Sequence, residues 1–268
     1  MPFDLATYFD RIGLKSCQAD LSGLKQLQTA QISAIPFENV LPFSGLVPDL
    51  DHAGLWQKLV LARCGGYCFE VNALLGQVLD ALGFPNRRVL ARVRMGEAQG
   101  GARTHLAFVV PLGGDEWLVD AGFGGQAPAE PVKIAPDQEQ PIRDQVYRIR
   151  FEDASGEHVL ERKTDTGWFP LYGFDRVDVR DEDIEAANFV CALSPMQSFA
   201  GNLKFYRLTK TGFFSFLNGR ARRVENGESR EWQIREQSEL KDFMKNDLRL
   251  GYDNATIEVV ASRLKTLF

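Results

Sequence analysis

Gly65-Gly66-Tyr67 separates two cysteines, and the second of them, Cys68, opens the most regular apolar pattern in the chain. Val71, Leu74, Leu75, Val78, Leu79 and Leu82 recur at the spacing of one buried helix face, which predicts a helix from Cys68 to about Leu82, closed by Gly83 and Pro85. A thiol in the first turn of a helix lies among unpaired N–H groups at the positive end of the helix dipole, where thiolate is favoured and the thiol pKa falls. A small residue that merely packs a helix start would look the same, so reading Cys68 as a nucleophile requires a base.

Three histidines are available. His52 follows Asp49-Leu50-Asp51 and His158 sits in a charged stretch, so both read as solvated surface. His105 opens the apolar run Thr104-His105-Leu106-Ala107-Phe108-Val109-Val110, a poor place for an idle imidazole. Downstream, Leu112-Gly113-Gly114-Asp115 is a hairpin signal, and a two- or four-residue loop there pairs residues whose numbers sum to 227. Ala107 then faces Asp120 and His105 faces Gly122, which makes His105 and Asp120 diagonal neighbours on one sheet face. A three-residue loop would send Asp120 to the other face. With an even loop, Asp120 orients and charges the imidazole, His105 takes the proton of Cys68, and the three form an activated-nucleophile triad.

The elements that must hold these groups are legible in outline. Asp4 caps a predicted helix carrying Leu5, Tyr8, Phe9 and Ile12, ended by Gly13, and a second helix is predicted from Leu21 to Ser33. From Arg88 the period changes to that of strands: Val89 to Val93, His105 to Leu112, Trp117 to Ala121, then Val146–Phe151 and His158–Leu160. A polar helix near Asp181 to Ala192 leads to strands at Leu203–Thr209 and Phe213–Leu217, and a last helix from a Ser238 cap to about Arg249. Helices, then strands, then a mixed tail indicate α+β, with breaks near residues 85 and 190.

The 268 residues are 44% hydrophobic and 25% charged, the profile of a globular protein that folds without staples. A net charge of -5 argues against a nucleic-acid partner, and neither an export signal nor an apolar membrane span is evident. Cys17, Cys64, Cys68 and Cys191 show no C-x-x-C and read as free thiols, which points to a reducing cytoplasm. No metal is expected, because neither histidines nor cysteines have ligand spacing. Phosphate-binding glycine motifs of nucleotide folds are absent. A phosphate-bearing ligand would need a local basic patch; Arg220, Arg222 and Arg223 offer one, or simply a solvated hairpin end.

Arg63-Cys64-Gly65-Gly66-Tyr67-Cys68-Phe69-Glu70-Val71-Asn72 resembles the active-site motif of the arylamine N-acetyltransferases. Ile35-Pro36-Phe37-Glu38-Asn39 is similar to that family's upstream motif, Thr104-His105-Leu106 to its histidine strand, Val119-Asp120-Ala121-Gly122-Phe123-Gly124 to its aspartate motif, and Ser198-Phe199 to a segment at the active-site mouth. Cys64 departs from the pattern, standing where many members carry a second basic residue or a glycine. The resemblance implies a helical domain over residues 1–85 that carries the nucleophile, a β-barrel over 86–190 that carries His and Asp, and an α/β lid over 191–268, with the triad held as in thiol proteases and transglutaminases. It implies Cys68 as acetyl acceptor, His105 as base and Asp120 as its orienter, supported by Asn72. Phe37, Tyr67, Phe123 and Phe199 would wall the pocket, and Gly124 and Gly125 would contact the cofactor.

The activity so implied is two-stage transfer of acetyl from acetyl-CoA, through acetyl-Cys68, to an aromatic amine, hydrazine or hydroxylamine. Arylamines suit the second stage because their weak basicity leaves them uncharged at neutral pH, and a phenylalanine-lined pocket excludes water, the competing nucleophile. An amide-forming acyltransferase with a larger acyl donor, or a thiol hydrolase, would use the same triad. A catalytically silent binding protein would have no need to keep all three residues. Homo-oligomerisation stays open at this level.

Overall fold

The computed structural model of the chain describes residues 3–125 and 127–265. Helices α1 (Leu5–Ile12) and α2 (Leu21–Ala34) come first, and Asp4 caps α1 as predicted, its carboxylate accepting from the Ala6 and Thr7 amides. A two-residue strand, β1 (Phe37–Glu38), precedes the short helices α3 (Val40–Phe43) and α4 (His52–Leu55), the latter running on through π-type turns to Leu61. Helix α5 (Cys68–Ala81) follows, with Val71, Leu74, Leu75, Val78 and Leu79 buried together with residues of α1 and α2.

Eight antiparallel strands then form one curled, nearly closed sheet: β2 (Arg87–Val93), β3 (Arg103–Leu112), β4 (Asp115–Val119), β5 (Val132–Lys133), β6 (Gln140–Ile142), β7 (Gln145–Glu152), β8 (Glu157–Thr164) and β9 (Gly167–Phe174). Their spatial order is β5-β4-β3-β2-β9-β8-β7-β6, and a bridge from Pro136 to Ile149 draws the two ends together. Inside lie Val89, Ala91, Ala107, Val109, Leu118, Leu160 and Tyr172. Residues 104–110 of β3 are all buried because both its faces are covered: Ala107 and Val109 pack into the barrel, Phe108 and Val110 against the helical layer.

The β3–β4 register is the predicted one. Leu112 pairs with Asp115 and Phe108 with Val119, and Gly113 and Gly114 form a two-residue loop with φ of 65° and 85°. Two successive positive φ angles make a primed hairpin turn, a backbone in which glycine carries no steric penalty.

Helix α6 (Asp181–Leu193) leads to β10 (Lys204–Leu208), β11 (Gly212–Leu217), β12 (Arg220–Glu225) and β13 (Glu228–Gln233), whose sheet is completed by β1 from the N-terminal part, in the order β1-β10-β11-β12-β13. Helix α7 (Gln237–Asp242), π-type turns to Asp247, and α8 (Asn254–Lys265) pack on it. The sequence places a single last helix with Ser238 as cap. Instead Ser238 lies inside α7, Glu236 is the cap, and α8 is a further helix. Arg220, Arg222 and Arg223 lie within strand β12, with Arg222 Nε on the Ser229 hydroxyl at 3.1 Å and Arg223 paired with Glu225.

Candidate active site

Helix α5 presents Cys68 in its first turn and Asn72 one turn later on the same face, toward the exit of the β3–β4 hairpin. Asn72 donates to the Leu106 carbonyl at 2.6 Å and to Asp120 Oδ1 at 2.8 Å, and its own oxygen accepts from the Ala121 amide at 2.9 Å. Gly122 lets the chain pass this close: a Cβ there would stand 2.8 Å from Asn72 Nδ2 and 3.0 Å from Cys68 Cα. Helix and hairpin are thereby fastened on either side of Asp120.

Asp120, 1% exposed, accepts four hydrogen bonds. His105 Nε2 lies 2.7 Å from Oδ2 and the Tyr172 hydroxyl donates to the same oxygen at 2.9 Å; Asn72 and the Gly122 amide donate to Oδ1, each at 2.8 Å. Burial works against the charged carboxylate, yet His105 and these donors hold its pKa below the ordinary value. Burial likewise opposes the charged imidazole, and Asp120 outweighs it, raising His105 to about 10.

The Cys68 thiol hydrogen-bonds the imidazole, which with Nε2 on Asp120 leaves Nδ1 toward the sulfur. Burial pushes this thiol well above its usual pKa, a hydrogen bond that it donates to Cys191 adds to the rise, and His105 opposes both. The sequence predicts a thiol pKa lowered by the helix N-terminus; in the structure it is raised instead. Cys68 is 4% exposed, and desolvation of the sulfur outweighs the dipole, so the adjacent imidazole is what favours the anion. The thiols of Cys68 and Cys191 both point at the Thr104 carbonyl, each 3.7 Å away.

Cys68 and His105 line a cavity of about 360 Å³ together with Phe37, Phe123, Gly124, Gly125, Phe199 and Lys204. The imidazole packs edge-on to Phe123 at 5.0 Å, and Phe37 and Phe199 are 6.0 Å apart. A larger groove of about 970 Å³ runs past the other side of α5, along Asp80, Arg88 and Asp181, with neither cysteine nor histidine on its walls. Tyr67 does not wall the cavity as expected: it is fully buried, its hydroxyl bonded to Asn188, and it meets the site only through its ring against Phe199 at 5.7 Å. Nor are His52 and His158 solvated; His52 is half-buried on Gln77 at 2.8 Å, and His158 lies between Phe151 and Phe174. Cys64 is buried in apolar surroundings, its thiol pushed up to about 12 by burial, and its carbonyl accepts from Arg11 at 3.2 Å.

Behind the first turn of α5 lies a second ionic cluster. Lys58 Nζ stands 3.0 Å from Glu38 and 2.7 Å from Glu70, and Tyr252 donates to Glu38 at 2.7 Å. Glu38 N donates to the Gly66 carbonyl at 3.0 Å, which docks β1 on the Gly-Gly turn and brings Phe37 to the cavity. Asn39, next in line, donates to the carbonyls of Phe199 at 2.8 Å and Asn202 at 2.7 Å and accepts from the Lys204 amide at 2.7 Å. No spacing or period in the sequence brings Tyr172, Cys191 or Lys204 to this site, and β9 is not among the predicted strands. Among the described residues, no group of three or more His, Cys, Asp or Glu could hold a metal ion, and no helix is long and apolar enough to cross a membrane.

A family model described as N-acetyltransferase matches residues 20–257. The arylamine N-acetyltransferase of Mycobacterium tuberculosis is 38% identical over 210 residues, covering 76% of this chain and 74% of its own. That of Escherichia coli K12 is 32% identical over 252 residues, 92% and 89% of the two chains. The solved arylamine N-acetyltransferase from Salmonella typhimurium superposes with a TM-score of 0.90 at 28% identity, covering 96% of this chain and 97% of that one. The Mycobacterium marinum enzyme in complex with CoA does so at 0.88 and 26%, covering 98% and 99%.

Proposed function

The chain belongs to the arylamine N-acetyltransferase family, and from that premise we propose how its residues divide the reaction. The activity is ping-pong transfer of an acetyl group from acetyl-CoA to an aromatic amine. The single observation that carries our assignment of roles is the thiol of Cys68 beside an imidazole whose far nitrogen is held 2.7 Å from Asp120.

In the first half-reaction the Cys68 proton passes to His105, the sulfur attacks the thioester carbonyl, and the CoA sulfur leaves with that proton. In the second, a neutral arylamine attacks acetyl-Cys68, gives its proton to His105 and departs as the amide, returning the thiol. Asp120 acts through His105 throughout: it fixes the tautomer and stabilises the imidazolium that each half passes through. Tyr172 and Asn72 hold Asp120 in turn. The rings of Phe37, Phe123 and Phe199 stack the arene and keep water from the acetyl-enzyme. The backbone of Gly124 and Gly125, which line the same cavity, is assigned to the thioester arm.

We assign the nucleophile to a helical unit over 1–85, the base and its orienter to a barrel over 86–190, and the cavity's cover to 191–268. The cavity draws on all three stretches, through Cys68, His105 and Phe199. The exchange of β1 into the sheet of the third makes this cover part of one packed body. The four unpaired thiols support a cytoplasmic setting.

With acetyl-CoA and no amine, the enzyme should release a burst of one CoA per active site. With both substrates, double-reciprocal plots against arylamine at several acetyl-CoA concentrations should be parallel. Intersecting lines would mean direct transfer and would refute the acetyl-Cys68 intermediate; steady CoA release without amine would mark a hydrolase.

A further inference from the structure

Three buried cations in this protein are met by acids or carbonyls. Lys58 has Glu38 and Glu70, Arg94 has Glu152 and Glu157 at 2.7 Å each, and Arg11 spreads its guanidinium over the carbonyls of Leu59, Ala34 and Cys64. This is what desolvation demands, because an unmatched charge out of water is costly.

Lys204, at the cavity, differs from these three. Its side chain is half-buried, with the Ser198 hydroxyl at 2.9 Å and the face of Phe199 at 5.3 Å, and among the described residues no carboxylate lies within ion-pairing distance. Burial lowers its pKa. It lines the cavity that holds Cys68, where it is the only lysine, arginine, aspartate or glutamate among the described lining residues. Its position is built: Asn39 holds the Lys204 amide and the Phe199 carbonyl at once, so the cation and the aromatic wall beneath it move as one piece.

We propose that Lys204 is a specificity-determining residue that receives an anionic substituent on the acceptor, so that the enzyme favours arylamines carrying a ring carboxylate over neutral ones. The inference rests on the acceptor site assigned above. An arene lying among Phe37, Phe123 and Phe199 with its amine at Cys68 has a far edge, and a carboxylate there replaces water on a partly desolvated ammonium with a charge-assisted hydrogen bond. The phosphates of CoA are the other anions in the reaction. The pantetheine arm separates them from the thioester, so with the acetyl group at Cys68 they fall outside a cavity of about 360 Å³.

The test uses two acceptors of nearly equal shape, 4-aminobenzoate and 4-aminobenzamide, with wild type, Lys204→Met, Lys204→Arg and Lys204→Glu. For each, kcat/KM is measured for both acceptors, and KM for acetyl-CoA. Lys204→Met should lower the benzoate-to-benzamide ratio of kcat/KM by about tenfold to a hundredfold, Lys204→Glu should lower it further, and Lys204→Arg should restore much of it. An unchanged ratio with a several-fold rise in KM for acetyl-CoA would assign the anion to CoA and overturn the proposal. An unchanged ratio and an unchanged KM would reduce Lys204 to a fastening of the Ser198–Phe199 turn and overturn it too. Failure of the wild type to acetylate even the benzamide would instead strike at the acceptor site itself.

Discussion

Two buried acid-base clusters flank the first turn of α5, one on each face. On the Cys68–Asn72 face, one carboxylate, Asp120, takes four hydrogen bonds and leans on an imidazole that borders a cavity. On the Glu70 face, two carboxylates, both buried, share one ammonium. Lys58 is pushed above its usual pKa, burial opposing and its two acids prevailing, so it keeps its proton. Burial and the nearby Glu38 lift Glu70 to about 7 against the pull of Lys58. The contrast separates a site that must pass a proton from a clamp that must not. Both are buried and both are ionic, and the first has a titrating group, His105, on the wall of a cavity.

The contrast can be broken most severely at the sulfur. Cys68→Ala or Cys68→Ser should abolish transfer, and Asp120→Asn should cost on the order of 10³- to 10⁴-fold in kcat with the fold retained, by loss of the tautomer and of the imidazolium's partner. Cys17→Ser, Cys64→Ser and Cys191→Ser should keep transfer. Iodoacetamide labelling followed by peptide mass analysis checks the same point, since Cys68 should react first and acetyl-CoA should protect it; preferential labelling of Cys64 would overturn the assignment.

The clamp should fail differently. Lys58→Met leaves Glu38 and Glu70 buried without their cation, which should destabilise the chain by about 3–5 kcal/mol and lower Tm by roughly 10 °C, seen in thermal or urea unfolding. Turnover per folded molecule should suffer far less than in Asp120→Asn. Equal losses of turnover in the two variants would erase the distinction.

The two clusters should also separate by pH. Glu70 is raised from 4.5 to about 7, so the folded chain keeps a proton that the unfolded chain gives up; that stability is fully present below pH 4.5 and is lost as pH climbs through 7. His105 is raised from 6.5 to about 10, so its contribution is full below pH 6.5 and is lost as pH climbs through 10. Unfolding free energies measured across these windows should flatten between pH 4.5 and 7 in Glu70→Gln and between pH 6.5 and 10 in His105→Gln. Exchanged windows would mean that the cluster assignments are reversed.

The smallest effect concerns the cavity wall. Phe123→Ala should raise the ratio of acetyl-CoA hydrolysis to arylamine transfer several-fold, because water gains access to acetyl-Cys68. An unchanged ratio would make Phe123 a packing residue only.

The catalytic face was far more legible in sequence than the clamp, for a physical reason. Helical and strand periods place Cys68, Asn72, His105 and Asp120 relative to their own elements, and a glycine turn fixes the one register that joins His105 to Asp120. Glu38, Lys58 and Tyr252 meet only through tertiary packing, and no period within any one segment brings them together. Tyr172 was hidden because β9 alternates irregularly around Pro170, opposite a bulge between Leu160 and Glu161. Tyr67 is not legible because an aromatic beside a nucleophile fits a pocket wall equally well on either side of the backbone, and its hydroxyl's partner, Asn188, shows which side it takes. The isolation of Lys204 is a missing neighbour, something a sequence has no way to display.

The two-residue turn at Gly113-Gly114 sits at the far end of the hairpin from Asp120, where a Cβ would meet nothing within 4 Å at either glycine. Such exposed tips are where proteins ordinarily gain and lose residues at little cost. Here the register matters more than the length: a shift of β4 by one residue would turn every one of its side chains to the opposite face, Asp120 with them. A single residue added to this turn should therefore silence the enzyme where it shifts the β3–β4 register and be tolerated where it bulges outward into the open space at the tip.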